Sequence, residues 1–338
     1  MASTLPVDRV VTIGPCSPLP PTCVAVLNGL RQNWESLVIG GGAAHGVVMA
    51  GAMTQLFPTD IEFRVWRRRT LRRVSGTSIG AVLCLGYAVG IPPRVMLREM
   101  QMLPWERLVT PTLAAMARGS MSSGVALDEY MRGTLVRLGV PPDTTLAQVE
   151  ASSGMEVHIV VNVLLRNGGM TCEVWTGRNH AAHFSIFTAL RGTVSLPGVF
   201  PPAIDPLRRF VVDGGIMCNT PLHTVPRDKA LLLRTSGAEP DGVPQAPLTV
   251  SDIPLDNTPV QTWWRLACSV MQGLRMAADV HQANRARFLC TVWSKAVAST
   301  DVRAGPGARA RAALDGRRCA RIMIAAWTVR VLAAQKQT

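Results

Sequence analysis

Lysine is almost missing: Lys229, Lys295 and Lys336 are the only three among 35 basic residues. Arginine therefore carries the formal charge of +13. Such a surface attracts anionic partners, whether phospholipid headgroups, nucleic acid or acidic protein. A plain compositional bias toward arginine would leave the same count. Aromatic residues are scarce as well, at 5% against 48% hydrophobic overall, so aliphatic side chains must fill most of the core. No apolar stretch reaches the roughly 18 uninterrupted residues of a spanning helix. The first nine residues lack the basic start and apolar middle of a signal peptide, and Pro15, Pro18, Pro20 and Pro21 interrupt the next stretch. The eight cysteines are scattered, with no C-x-x-C and no Cys/His group at zinc spacing, and read as reduced thiols. These absences describe an intracellular, cytoplasmic protein that meets a membrane only peripherally. The six histidines form no H-E-x-x-H or H-x-H pattern, so no metal is expected. There is no G-x-x-x-x-G-K-[ST] loop, and Gly40–Gly42 fails G-x-G-x-x-G in both registers, blocked by His45 in one and by Ala43 in the other. No cofactor is expected either.

What is present is a set of three glycine-flanked strand ends. The central one is Val74-Ser75-Gly76-Thr77-Ser78-Ile79-Gly80, a G-x-S-x-G pattern between a short apolar-ended segment and the apolar run 81–91. A serine on a sharp turn from strand to helix leaves no room for side chains two residues to either side, which explains Gly76 and Gly80. The turn pushes the Ser78 hydroxyl out of the sheet and aims a helix N-terminus at it, a place that favours negative charge. Upstream, the strand Leu37-Val38-Ile39 ends in Gly40-Gly41-Gly42-Ala43-Ala44-His45-Gly46. Bare backbone there offers several N–H groups to one anion. Downstream, Phe210-Val211-Val212 ends in Asp213-Gly214-Gly215. Acyl hydrolysis needs a nucleophile, a base and a cradle for a developing oxyanion. Ser78 supplies the first, and the amides of Gly41, Gly42 and Ala43 are candidates for the third. The base is open on the residues alone. Asp213 is either the base or a turn residue capping its strand, and His223 and His281 both come after it, in the chain order of a Ser-Asp-His triad.

In their order and spacing these motifs resemble the patatin-like phospholipases, whose pattern is a Gly-rich oxyanion loop, then G-x-S-x-G, then D-G-[GA]. The likeness extends to Ser122-Ser123-Gly124, to Ser195-Leu196-Pro197-Gly198-Val199-Phe200-Pro201-Pro202 and to Asn219-Thr220-Pro221-Leu222, covering roughly residues 36–235. The resemblance implies a three-layer α/β/α domain with a mostly parallel central sheet, and a Ser78–Asp213 dyad without histidine. It implies a phospholipase A-type acyl hydrolase acting on glycerolipid esters, with a phospholipid or other glycerolipid as substrate and an anionic membrane surface as partner. Nucleic acid is then the disfavoured partner. The family loop reads G-G-G-x-[RK]-G; aligned on Gly46, Ala43 stands at the third glycine and His45 at the basic position. A methyl at Ala43 fits if its φ is negative. Two rival readings remain: a histidine-dependent esterase for small esters, and a catalytically weak scaffold that binds membrane or nucleic acid.

Taken in order, residues 1–33 read as a Pro-rich arm, 34–300 as the hydrolase domain and 301–338 as a basic, then apolar, helical extension. Helices are expected over 46–56, 81–88, 94–102, 125–138, 183–191 and 260–287, and a T-x-x-Q capping box at Thr145 and Gln148 opens another. Strands at 155–165 and 171–175 form a hairpin across Asn167-Gly168-Gly169. The arginine-rich stretch 61–73 is too charged for a buried strand and reads as a basic surface segment. Leu103, Trp105 and Leu108 are candidates to line an acyl groove, or to serve as ordinary core.

Overall fold

The computed structural model describes residues 18–117, 119–235, 286–294, 296 and 304–335. The loop at 236–258, His281 and nearly all of the helix expected over 260–287 lie outside the described residues. The first helix, α1 (Pro21–Arg31), opens with proline in its first turn, where the missing N–H costs nothing. It buries Leu27 and Leu30 on the domain. Strand β1 (Ser36–Ile39) is wholly buried, and α2 (Gly46–Leu56) has the bounds that the apolar patterning predicts.

The stretch after it departs from expectation. Most of 61–73 is a helix, α3 (Asp60–Arg69), entered through a capping box in which Thr59 and Glu62 bond each other's backbone N–H. Asp60 and Glu62 sit at its positive end and Arg67, Arg68 and Arg69 at its negative end, so the charges complement the helix dipole. Phe63 and Trp66, one turn apart, bury a single face. The arginines masked an amphipathic helix.

Strand β2 (Arg73–Thr77), α4 (Ile79–Ala88), α5 (Pro93–Gln101), α6 (Val125–Arg137) and α7 (Leu146–Ser153) come next. The capping box at Thr145 and Gln148 forms as read. Strands β3 (Glu156–Leu164) and β4 (Met170–Trp175) make the hairpin. Then come α8 (Ile186–Thr193), β5 (Ala203–Ile204), β6 (Phe210–Asp213), β7 (Ala230–Thr235), β8 (Phe288–Val292) and α9 (Pro306–Gln335). Strand β8 has no counterpart in the sequence reading.

The eight strands form one mixed sheet, with helices around it. Strands β3, β2, β1, β7 and β8 run parallel, in that order. Strands β4 and β6 pair antiparallel with β3, and β5 with β6. The pairing on β3 decides the site. Strand β4 fills one edge of β3 from Ile159 to Leu164. The other edge is therefore shared. Strand β2 takes it up to Val160, opposite Thr77, and β6 takes it from Val161, opposite Asp213. Two strands of opposite direction thus end head to head.

Few aromatic residues are available, and several are concentrated at one point. Trp34 packs edge-on against Phe57, Phe288 and Trp327, tying β8 and α9 to the first helices. Helix α9 crosses α2 at close range. A Cβ on Gly51 would stand 3.0 Å from Ala313 Cα, and one on Gly316 2.8 Å from the carbonyl carbon of Val48. The small residues Ala50, Gly51 and Ala52 leave room for that crossing. Cys84 is fully buried and burial pushes its thiol well up, as befits a packing residue.

Candidate active site

The turn after β2 places Ser78 at φ 54° and ψ −131°, a conformation that costs a non-glycine residue about 1–3 kcal/mol. Its surroundings impose it. A Cβ on Gly76 would lie 2.6 Å from Ala81 N, and one on Gly80 2.5 Å from the Gly40 carbonyl oxygen. Only bare backbone lets α4 fold back so tightly on β2 and β1. The Ser78 N–H donates to Thr193 Oγ1 at 2.8 Å, and that hydroxyl donates to the Val160 carbonyl at 2.6 Å. Thr193 is fully buried at the end of α8. It pins the strained turn to β3.

The head-to-head strands bring Asp213 to the same point. Ser78 Oγ donates to Asp213 Oδ2 at 2.7 Å. The other carboxylate oxygen accepts the Gly215 N–H at 2.7 Å. The Asp213 backbone is held on both sides: its N–H donates to the Ser195 carbonyl at 3.0 Å, and its carbonyl accepts from Asn162 Nδ2 at 2.7 Å. Gly214 must be bare because a Cβ there would stand 2.6 Å from the Val160 carbonyl carbon. The carboxylate is 5% exposed by residue, so its contacts with Ser78 and the Gly215 amide are little diluted by water.

The glycine loop after β1 forms the third wall. Gly41 cannot offer its N–H, because that group donates to the Asn219 carbonyl at 3.1 Å. The next two amides, of Gly42 and Ala43, face no acceptor among the described residues and border the same cavity as Ser78. The condition placed on Ala43 fails: its φ is +43°, in the left-handed region where a methyl is strained. Glycine at this position relieves the strain, partly offset by a floppier unfolded chain. Ala43→Gly is expected to raise stability by about 0.5–1 kcal/mol, read as a small upward shift of the thermal midpoint. An unchanged or lowered midpoint would show that Ala43 is not strained. His45 is buried and ends the short helical turn before α2; it does not line the cavity. Gly46 allows the close approach of Ile79, whose Cγ1 would lie 2.5 Å from a Cβ there.

Behind the three walls lies a cavity of about 200 Å³. Its sides are apolar, from Val82 and Leu85 of α4, Met96 and Met100 of α5, and Leu127 and Met131 of α6. Leu103, Trp105 and Leu108 line it and also pack in an apolar cluster with Val199 and Phe200, so both the groove and the core readings describe them. His223 is exposed, with Nδ1 3.8 Å from Cys218 Sγ, and does not line the cavity. Among the described residues, no three His, Cys, Asp or Glu side chains gather as for a metal ion. Nor does any helix among them have the length and apolarity to cross a membrane.

A family model of the patatin-like phospholipases matches residues 37–226. The chain belongs to this family. Among solved structures it is similar to VipD from Legionella pneumophila, at 14% identity and a TM-score of 0.52, over 86% of this chain and 67% of VipD. It is also similar to the type III effector ExoU, at 14% identity and a TM-score of 0.46, over 87% of this chain. The chain spans about half the length of ExoU (53%). At such identities the likeness concerns the fold alone. No curated protein matches.

Within this patatin-like phospholipase, sequence reasoning brought Ser78, Asp213 and the glycine loop to one place. It missed Thr193 and Asn162. A signal for Asn162 existed: it is the single amide in an otherwise apolar strand interior, Ile159 to Val163, and a polar group buried there must have a partner. Nothing in the sequence marks Thr193 apart from other small residues at a helix end.

Proposed function

We propose that the protein is a phospholipase A-type acyl hydrolase that cleaves glycerolipid esters with Ser78 as nucleophile and Asp213 as base. The observation that carries the reading is the 2.7 Å hydrogen bond between Ser78 Oγ and Asp213 Oδ2 at the wall of an apolar cavity. The ester carbonyl sits against Ser78 with the acyl chain in the cavity. Asp213 takes the hydroxyl proton as Oγ attacks, and the amides of Gly42 and Ala43 hold the oxyanion. The leaving alcohol takes the proton from Asp213. Asp213 then draws a proton from the water that attacks the acyl-serine, and passes it to Ser78 Oγ as the fatty acid leaves. Gly41 has no part in the oxyanion cradle on this reading, since its N–H is bonded elsewhere. Two of the exposed apolar side chains, Met102 at 61% and Leu113 at 85%, flank the segment whose Leu103, Trp105 and Leu108 line the cavity. Together with the arginine-borne charge, they suit peripheral binding to an anionic membrane.

A fluorophosphonate probe is expected to label the protein, with the adduct mapping to Ser78. The same preparation is expected to release fatty acid from vesicles of phosphatidylcholine and phosphatidylserine. Neither labelling nor release would remove the reading.

A further inference from the structure

Helix α9 opens on a residue that costs stability. Arg309 stands in its first turn, at the positive end of the helix dipole, where a cation is disfavoured. It is also only 7% exposed, so its charge has lost most of its water. The partners of the guanidinium offset both costs. Nη1 donates to the Gln101 carbonyl at 3.1 Å and to the Leu103 carbonyl at 2.6 Å. Gln101 is the last residue of α5, and the final carbonyls of a helix lack partners within it and form its negative end. Arg309 thus caps α5 from 208 residues further along the chain. Nη2 lies 3.6 Å from Glu106 Oε1, on a half-exposed side chain, and Nε is buried with no hydrogen-bond partner among the described residues.

The capped turn leads into a wall of the cavity. Met100 lines the cavity just before it, and Leu103 and Trp105 line it just after. The Leu103 carbonyl that Arg309 holds also accepts the Trp105 N–H at 3.0 Å, where the short helix Trp105–Leu108 begins. One nitrogen of α9 therefore fixes where α5 stops and how Leu103 and Trp105 enter the wall. Buried charge is a poor source of stability, because apolar residues of similar volume often do as well or better. What an apolar residue cannot copy is the hold on two carbonyls of one turn. Arg309 lies beyond residues 37–226, so the family match assigns it nothing.

We propose that Arg309 is a positioning residue for substrate binding: from the C-terminal helix it fixes the Gln101–Leu103 turn, and through it the Leu103 and Trp105 wall against which the acyl chain lies. This rests on the acyl-hydrolase reading above. The wall meets the chain and not the reacting atoms. Its displacement weakens the bound substrate and the transition state alike, which raises KM and leaves kcat.

The test compares Arg309→Leu and Arg309→Lys with the parent chain, in turnover of p-nitrophenyl laurate and in binding. In Arg309→Leu, KM is expected to rise about tenfold with kcat within about twofold, since two charge-assisted bonds are lost away from the reacting atoms. Arg309→Lys keeps a cation that can donate to the same carbonyls, and should recover part of the loss. Binding is read without turnover in the Ser78→Ala protein, with methyl laurate titrated against intrinsic tryptophan fluorescence. Adding Arg309→Leu should weaken it by the same factor. If Arg309 only anchors α9, its loss lowers the amount of folded enzyme: kcat falls while KM and the binding constant stay, and the proposal is overturned. If Arg309→Leu does not fold, Arg309→Lys decides, with a KM raised about threefold for the proposal and an unmoved KM against it. Failure of the parent chain to hydrolyse any ester would strike the hydrolase reading instead, and leaves the binding comparison readable.

Discussion

Ser78→Ala should release fatty acid from phospholipid vesicles about 10⁴- to 10⁶-fold more slowly than the parent chain. Without Oγ there is no acyl-serine, and only the amide cradle and the cavity remain to help water. Asp213→Asn is the sharper test of the dyad. Its side-chain oxygen can still accept the Gly215 N–H, which Asp213 now receives at 2.7 Å, so the turn should keep its shape. An amide cannot take a proton, however, and kcat should fall by about 10⁴-fold with KM little changed. The double variant should be no slower than the worse single one, because the two groups act as a unit. An Asp213→Asn protein that keeps a tenth of the parent activity, with unchanged circular dichroism, would assign the base to another residue.

The second large effect concerns folding. In Gly80→Ala the new methyl would stand 2.5 Å from the Gly40 carbonyl oxygen and 2.8 Å from the Ile39 carbonyl carbon. Both are backbone atoms of the sheet centre, so α4 must lift off β1. The cost should exceed about 4 kcal/mol, a large share of a typical domain's 5–15 kcal/mol. Gly86→Ala is the control. Its methyl would meet Met96 Sδ at 2.6 Å and Cε at 2.8 Å, the far end of a flexible side chain that can swing aside. That change should cost about 1–2 kcal/mol. Urea unfolding of the two variants separates the cases. Stability losses of similar size would mean that the elbow tolerates a side chain.

Much of this architecture was readable in advance where one local signal sufficed. The small and apolar residues 46–56 gave α2 its limits, and Thr145 with Gln148 marked the start of α7. The three motif ends gave the site its members. Reading failed where two signals competed or where distance mattered. At α3 the run of arginines outweighed the capping box of Thr59 and Glu62, although both were in view. Strand β8 is five residues long and gains its place by pairing with β7 and by packing Phe288 on Trp34 and Trp327, both distant in sequence. The loss of the Gly41 amide depends on its bond to the carbonyl of Asn219, far along the chain, which no local pattern encodes.

The shared edge of β3 has a consequence for how the protein is made. Ser78 precedes its partner carboxylate by 135 residues. A chain leaving the ribosome can form β1, β2 and β3 in order, yet the edge beside Val161 stays vacant until β6 has been synthesised and turned back against it. Non-local pairing of this kind comes late in folding. A nascent or truncated chain that lacks β6 therefore has no carboxylate beside Ser78, and the pair exists only once the chain has passed residue 213 and folded back.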